Sequence, residues 1–159
     1  MRSSHTRHLD KVIADPAEIV RIVAGQKFLT LALCAVSQPY LVTLSHAFDA
    51  DRNCFYFHCA PTGRKLDLIR ANPRVYGQVL DDCGYVAGEC EHRYRTVQFD
   101  GRAETVADPD EKLHALRLLI ERLEPTPDPV KARLLRPERL DGVAVIRVKV
   151  ESWSGKKSG

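Results

Sequence analysis

The chain has 159 residues, 44% of them hydrophobic and 28% charged, with a formal net charge of +3, which fits one soluble globular domain spanning 1–159. Acidic residues are spread throughout, so the small excess of cations marks no nucleic-acid-binding tract, and a small anionic ligand suffices to account for it. No stretch approaches the ~20 apolar residues of a membrane span, and the polar start Met1-Arg-Ser-Ser-His-Thr-Arg-His8 has no apolar run behind it, so a cytoplasmic protein off the membrane is expected.

In chain order, Asp15-Pro16 opens a short helix with apolar residues at 19, 20, 22 and 23 and a stop at Gly25. Three strand-like runs follow at 27–36, 40–48 and 53–59, separated by the turns Ser37-Gln38-Pro39 and 49–53, and their short connections imply antiparallel pairing. Residues 64–71 read as a helix ended by Asn72-Pro73; 74–80 and 94–106 read as further strands, the second with a bulge or tight turn at Asp100-Gly101. Asp108 opens a helix with apolar residues at 113, 116, 119, 120 and 123, which stops before Pro125. Pro125, Pro127 and Pro129 suggest a stiff connector, followed by a short helix at 130–135 and a final strand over 142–153, with flexible ends at 1–8 and 155–159. About six strands broken by short helices do not alternate as β-α-β units, so the expected fold is mainly β, an antiparallel barrel with peripheral helices.

The segment Phe55-Tyr-Phe-His-Cys-Ala-Pro-Thr-Gly-Arg-Lys-Leu-Asp-Leu-Ile69 carries the most chemistry. An aromatic strand runs into a turn and delivers Arg64 and Lys65 to a helix start, where N–H groups and the helix dipole suit a bound phosphate. His58 precedes the turn. Taken alone, an Arg-Lys pair is more often a solvated helix face, and a histidine on an aromatic strand is more often a partly buried structural residue. The five cysteines (34, 54, 59, 83 and 90) are odd in number and unevenly spaced, which fits reduced thiols, most of them small core residues. Cys83, Cys90 and His92 lie close in sequence, but with no Cys-x-x-Cys pair and no nearby fourth ligand a zinc site is not expected. Rossmann, Walker and Gly-x-Ser-x-Gly motifs are absent, which argues against a dinucleotide domain, a phosphotransferase and an α/β-hydrolase.

The order of several phrases resembles a known family. His58-Cys-Ala60-Pro-Thr-Gly63-Arg-Lys65, Leu-x-x-Ile-x-x-Asn-Pro, Tyr94-Arg-Thr-Val97, Gly101-Arg-Ala-Glu104, the Asp-Pro-x-Glu-Lys helix start at 108–112 and Trp153-Ser-Gly-Lys156 together are similar to the FMN-binding split barrels related to pyridoxamine 5′-phosphate oxidase, in the branch of the 5-nitroimidazole resistance reductases. The resemblance covers roughly 7–158. It implies a homodimer with FMN in clefts between the subunits, the flavin lying along the second strand and its phosphate on basic residues after the aromatic strand. Contacts would then come from Thr43, Leu44 and Ser45, where Thr43 and Ser45 share one face by alternation, and from His58, Ala60, Arg64 and Lys65. The resemblance adds Tyr94, Arg95 and Trp153, although an ordinary strand would also explain the first two and a core rim the third. His58 is implied as a cofactor contact and, more weakly, as a proton donor. The function implied is an oxidoreductase in which NADH or NADPH reduces FMN and electrons pass to a small acceptor such as a nitroaromatic or quinone; a flavin- or haem-binding protein without turnover is the alternative. Thr43 stands where that branch commonly has Pro, and Cys59 and Pro61 fill variable positions of the turn, departures that touch the substrate class more than FMN binding.

Overall fold

The computed structural model describes residues 8–158; of the flexible ends expected at 1–8 and 155–159, residues 1–7 and 159 lie outside them. A short 3-10 turn (Leu9–Lys11) and strand β1 (Val12–Ile13) lead into helix α1 (Pro16–Gly25), whose Asp15 carboxylate accepts the Ala17 N–H at 2.9 Å. There follow β2 (Phe28–Ala35), β3 (Gln38–Ser45), β4 (Ala47–Asp49), β5 (Cys54–Cys59), helix α2 (Arg64–Ala71) and the long strands β6 (Arg74–Val86) and β7 (Glu91–Thr105). Helices α3 (Pro109–Leu123), α4 (Pro127–Leu134) and α5 (Pro137–Leu140) precede the last strand, β8 (Ala144–Ser158). Among the described residues no helix is long and apolar enough to cross a membrane.

The strands form one antiparallel sheet in the order β3-β2-β6-β7-β8-β5-β4, with β1 added to β8. Strands β3 and β4 therefore sit at opposite ends of the sheet, yet only His46 separates them in sequence. At about 3.5 Å of reach per residue, one intervening residue forces the two edges together, and the sheet curls into a split barrel. The expected single strand over 40–48 is thus two strands broken at this seam. His46 is fully buried there, and its N–H donates to the Lys27 carbonyl at 3.2 Å.

The barrel interior holds Leu29, Leu31, Val79, Val97, Phe55, Phe57 and Phe99, closed by Ile22 and Val23 of α1 and by Leu66 and Ile69 of α2. Strand β5 is buried on both sides: Phe55 and Phe57 face the barrel, while Cys54 and Tyr56 face a second cluster with Ala115, Leu116 and Leu119 of α3. Gly77 lies opposite Phe99 in the β6–β7 pair, and a Cβ at 77 would collide with the ring. Gly77→Ala is accordingly expected to cost about 1–3 kcal/mol, as overpacking does; urea unfolding with an unchanged midpoint would contradict this.

Several boundaries differ from expectation. The β2–β3 turn is Val36-Ser37, both at positive φ (50° and 60°), not Ser37-Gln38-Pro39. Gln38 and Pro39 join β3, an edge strand, where proline's missing N–H is tolerated. Strands β6 and β7 continue beyond 80 and before 94 as a projecting hairpin arm. The expected proline connector is partly helix, since Pro127 and Pro129 occupy the first turn of α4, where N–H groups have no partner to lose. Helix α5 was not expected. Residues 155–158, expected to be flexible, complete β8: all four pair with β7, and Gly155 and Lys156 pair with β1 as well. The Asp100-Gly101 irregularity is present as a register shift against β8. All five cysteines are free thiols, but only Cys54 is fully buried; Cys83 and Cys90 are exposed on the arm and Cys34 at the end of β2.

Candidate functional site

Period-2 alternation gives the β2, β3, β6, β7 and β8 sheet an outer face that no element among the described residues covers. Across it the register aligns Thr43, Thr30, Gln78, Gln98 and Ser154 in one row. The row is hydrogen-bonded within itself: the Thr30 and Thr43 hydroxyls lie 3.3 Å apart, Gln98 Nε2 donates to Gln78 Oε1 at 3.0 Å, and the Tyr76 hydroxyl donates to Gln98 Oε1 at 3.1 Å. Partial burial, followed by the Asp100 charge, raises the Tyr76 phenol above its ordinary value, so it remains a donor at neutral pH. Around the row stand exposed apolar side chains, Phe28 (60% exposed), Leu41 (68%) and Leu80 (50%). A surface cavity of about 410 Å³ lies over Gln78, Leu80, Tyr94, Thr96, Gln98 and Lys156, with the Lys156 ammonium 5.8 Å from the Tyr94 ring centre.

At the edge of the barrel, Gly63 (φ +134°) starts α2 with no capping side chain. Leu66 and Asp67 donate to the Gly63 carbonyl, which leaves the N–H groups of Arg64 and Lys65 without partners among the described residues. The Arg64 guanidinium lies 4.8 Å over the Tyr40 ring of β3, and neither Arg64 nor Lys65 forms an ion pair among the described residues. Burial raises the Cys59 thiol, and the Lys65 charge partly offsets that. A different charged cluster shows the contrast: around a cavity of about 530 Å³, Arg52, Arg147, Glu104 and Glu111 pair with one another. That cluster is satisfied from within; the start of α2 is open to an anion.

Thr43 and Ser45 share the outer face, and Tyr94 joins them from β7. Leu44 points inward against the core, so only its backbone is presented to a ligand. Ala60 is exposed in the turn before Gly63. Arg95, next to Tyr94, takes the other face and donates from Nε to Asp81 Oδ2 at 2.8 Å; Gln26 Nε2 reaches the other Asp81 oxygen at 2.9 Å. Trp153 lies among Phe48, Phe55 and Phe99, with ring centres 5.6–5.8 Å away, as a rim residue of the core. His58 is on the α3 side of β5, lining a separate cavity. The structure therefore groups Thr43, Ser45 and Tyr94 on the outer face, places Arg64 and Lys65 at the barrel edge, and sets His58, Arg95 and Trp153 elsewhere. Sequence reading missed Thr30, Gln78, Gln98 and Lys156. Their alternation with apolar neighbours was visible, but the register that aligns them was not. On the arm, His92 Nε2 lies 2.7 Å from Asp82 Oδ1, and among the described residues no three potential ligands come together to hold a metal.

A family model described as pyridoxamine 5′-phosphate oxidase matches residues 15–157. The chain belongs to this family. A candidate 5-nitroimidazole antibiotic resistance protein from Bacteroides thetaiotaomicron VPI-5482 superposes with a TM-score of 0.76 at 22% identity, covering 92% of this chain and 86% of that one. The flavocytochrome Anf3 from Azotobacter vinelandii gives 0.78 at 18% identity, over 93% of this chain and 69% of that one. At these identities the likenesses establish a shared split-barrel fold. The uncharacterized protein RA0666 of Rhizobium meliloti (strain 1021) is 29% identical over 102 residues, a stretch spanning 62% of each chain.

Proposed function

We propose that this pyridoxamine 5′-phosphate oxidase family member is a homodimeric FMN-dependent oxidoreductase that takes electrons from NADH or NADPH and delivers them to a small acceptor such as a nitroaromatic or quinone. The observation that carries the reading is the start of α2: two N–H groups and two cations that have no hydrogen-bond or ion-pair partner among the described residues, at a helix end without a capping side chain, beside the edge strand β3. This is a donor set suited to a phosphate monoester, so the residues fit FMN. The name of the flavocytochrome Anf3, which shares the fold, supports a flavin as the cofactor class.

Arg64 and Lys65 would hold the phosphate, Arg64 kept in place by its stack on Tyr40. Thr43, Ser45 and the unpaired edge of β3 would meet the polar rim of the flavin ring, with Tyr94 on the same outer face. When bound, FMN supplies the redox chemistry, and the protein binds and shields it. Shielding needs a second surface. Phe28, Leu41, Tyr76 and Leu80 form an exposed apolar patch around the polar row, and a second copy of the same face would cover both. Sedimentation should give about twice the 17.9 kDa chain mass, and Leu80→Glu should shift the protein toward monomer and weaken flavin binding with it. A monomer that retains full FMN affinity would contradict the shared site.

The direct test of function is an absorbance spectrum of the purified protein, reconstituted with FMN, before and after anaerobic addition of NADH or NADPH. Flavin bands that bleach and then recover on adding a quinone support the reading. Bands that never bleach, or a haem Soret band in their place, count against an FMN-dependent reductase.

A further inference from the structure

The far side of β5 holds a cavity that the flavin reading does not use. It measures about 460 Å³ and lies between the C-terminal half of α3, the short helices α4 and α5, and the chain entering β8. Leu119, Ile120, Leu123, Val130, Leu134 and Val143 are among its apolar lining. Neither α4 nor α5 buries a single residue completely, so these helices roof the space without filling it. Apolar walls that face no partner atoms forfeit dispersion contacts, and a space of a few hundred Å³ lined by apolar groups with a few polar ones is the usual form of a small-molecule site.

His58, solvent-exposed near the end of β5, borders this cavity, and its imidazole makes no side-chain hydrogen bond among the described residues. The charged groups lining it are Glu124, Glu138 and Arg139, a net negative set. The C-terminal end of α3, at Leu123 and Glu124, adds a further partial negative charge. An anionic ligand is therefore disfavoured, the apolar walls make burial of a full positive charge costly, and a neutral ligand can use the imidazole N–H. We infer that this cavity binds a small neutral aromatic compound, its rings among the α3 and α4 leucines and one hydrogen-bond acceptor on His58. The site shares no residue with the Arg64–Lys65 cradle and stands independently of the flavin reading.

The test uses 6-propionyl-2-(dimethylamino)naphthalene, a neutral naphthalene with one ketone acceptor whose emission shifts to the blue in apolar surroundings. The full chain should bind it saturably, one per chain, with blue-shifted emission. His58→Ala should weaken binding roughly two- to tenfold, the loss of one neutral hydrogen bond. Val143→Trp should fill the cavity and lower affinity more than tenfold. Leu134→Trp does the same from a residue that is 37% exposed, so its fold is retained should Val143→Trp disrupt packing; circular dichroism checks each variant. Absent or unsaturable binding overturns the inference. So does binding unchanged in both folded tryptophan variants, which would put the compound on the exposed outer sheet face instead.

Discussion

Replacing Glu111 by Ala is expected to destabilise the protein by about 3 kcal/mol, lowering the melting temperature by roughly 10 °C. Glu111, in the first turn of α3, has a side chain only 14% exposed, and one of its oxygens accepts from both the Tyr56 hydroxyl and Arg147 Nη1 at 2.7 Å. Tyr56 is completely buried; burial and then its bond to Glu111 push the phenol above its ordinary range, so it stays a neutral donor that needs this acceptor. Arg147 keeps Glu104 as a partner, which limits its own loss. The effect should therefore fall mainly on Tyr56 and on the docking of α3 against β5. Glu111→Gln retains an acceptor oxygen and should cost about half as much. Urea unfolding reads both values, and a loss below about 1 kcal/mol for the alanine variant would show that Tyr56 and Arg147 find other partners.

The second large effect concerns pH. His46, at the seam between β3 and β4, is fully buried against Phe55, and among the described residues neither ring nitrogen is hydrogen-bonded; the nearby Gln26 carbonyl already accepts from Arg122 Nη2 at 3.1 Å. Burial first, and the Arg122 charge second, lower its pKa from 6.5 to about 4. Between these values the unfolded chain binds a proton that the folded chain does not. The stability associated with neutral His46 is therefore complete above pH 6.5 and is lost as pH falls toward 4. His46→Phe keeps a ring against Phe55 and removes the titration. From pH 7 to pH 4.5 the wild type should lose about 2–3 kcal/mol relative to this variant. Taking the difference between the two proteins cancels the carboxylates they share, and parallel stability curves would contradict the assignment.

His46 also shows where sequence reading stops. Helices α1, α2 and α3 were legible almost to the residue, because Asp15 and Asp108 cap their helices and the apolar spacing follows 3.6 residues. The barrel was legible as a class from consecutive short strands. His46 was not, since the residue that turns one strand into two is set by the sheet meeting itself, a contact between positions distant along the sheet. The arm over 81–93 was missed for the opposite reason: exposed on both faces, it carries no alternation to read. At the candidate site, the grouping of Gly63, Arg64 and Lys65 was legible because turn, helix start and cations are adjacent in sequence. Tyr94 and Arg95 could not both reach one face of a strand, and the structure sends Arg95 to Asp81. His58 and Trp153 depended on which side of β5 and β8 faces the barrel, and that is decided by cross-strand register, with Trp153 opposite Phe99.

The proposed phosphate site at the start of α2 is tested most directly by calorimetric titration of the purified protein with FMN and with riboflavin, in the wild type and in the Arg64→Ala, Lys65→Ala double variant. A charge-assisted hydrogen bond contributes about 1.5–3 kcal/mol, so the wild type should prefer FMN by at least tenfold, and the double variant should bind the two flavins equally while melting at an unchanged temperature. Equal affinity of the wild type for riboflavin and FMN, or a preference for FMN that survives loss of both cations, would contradict it.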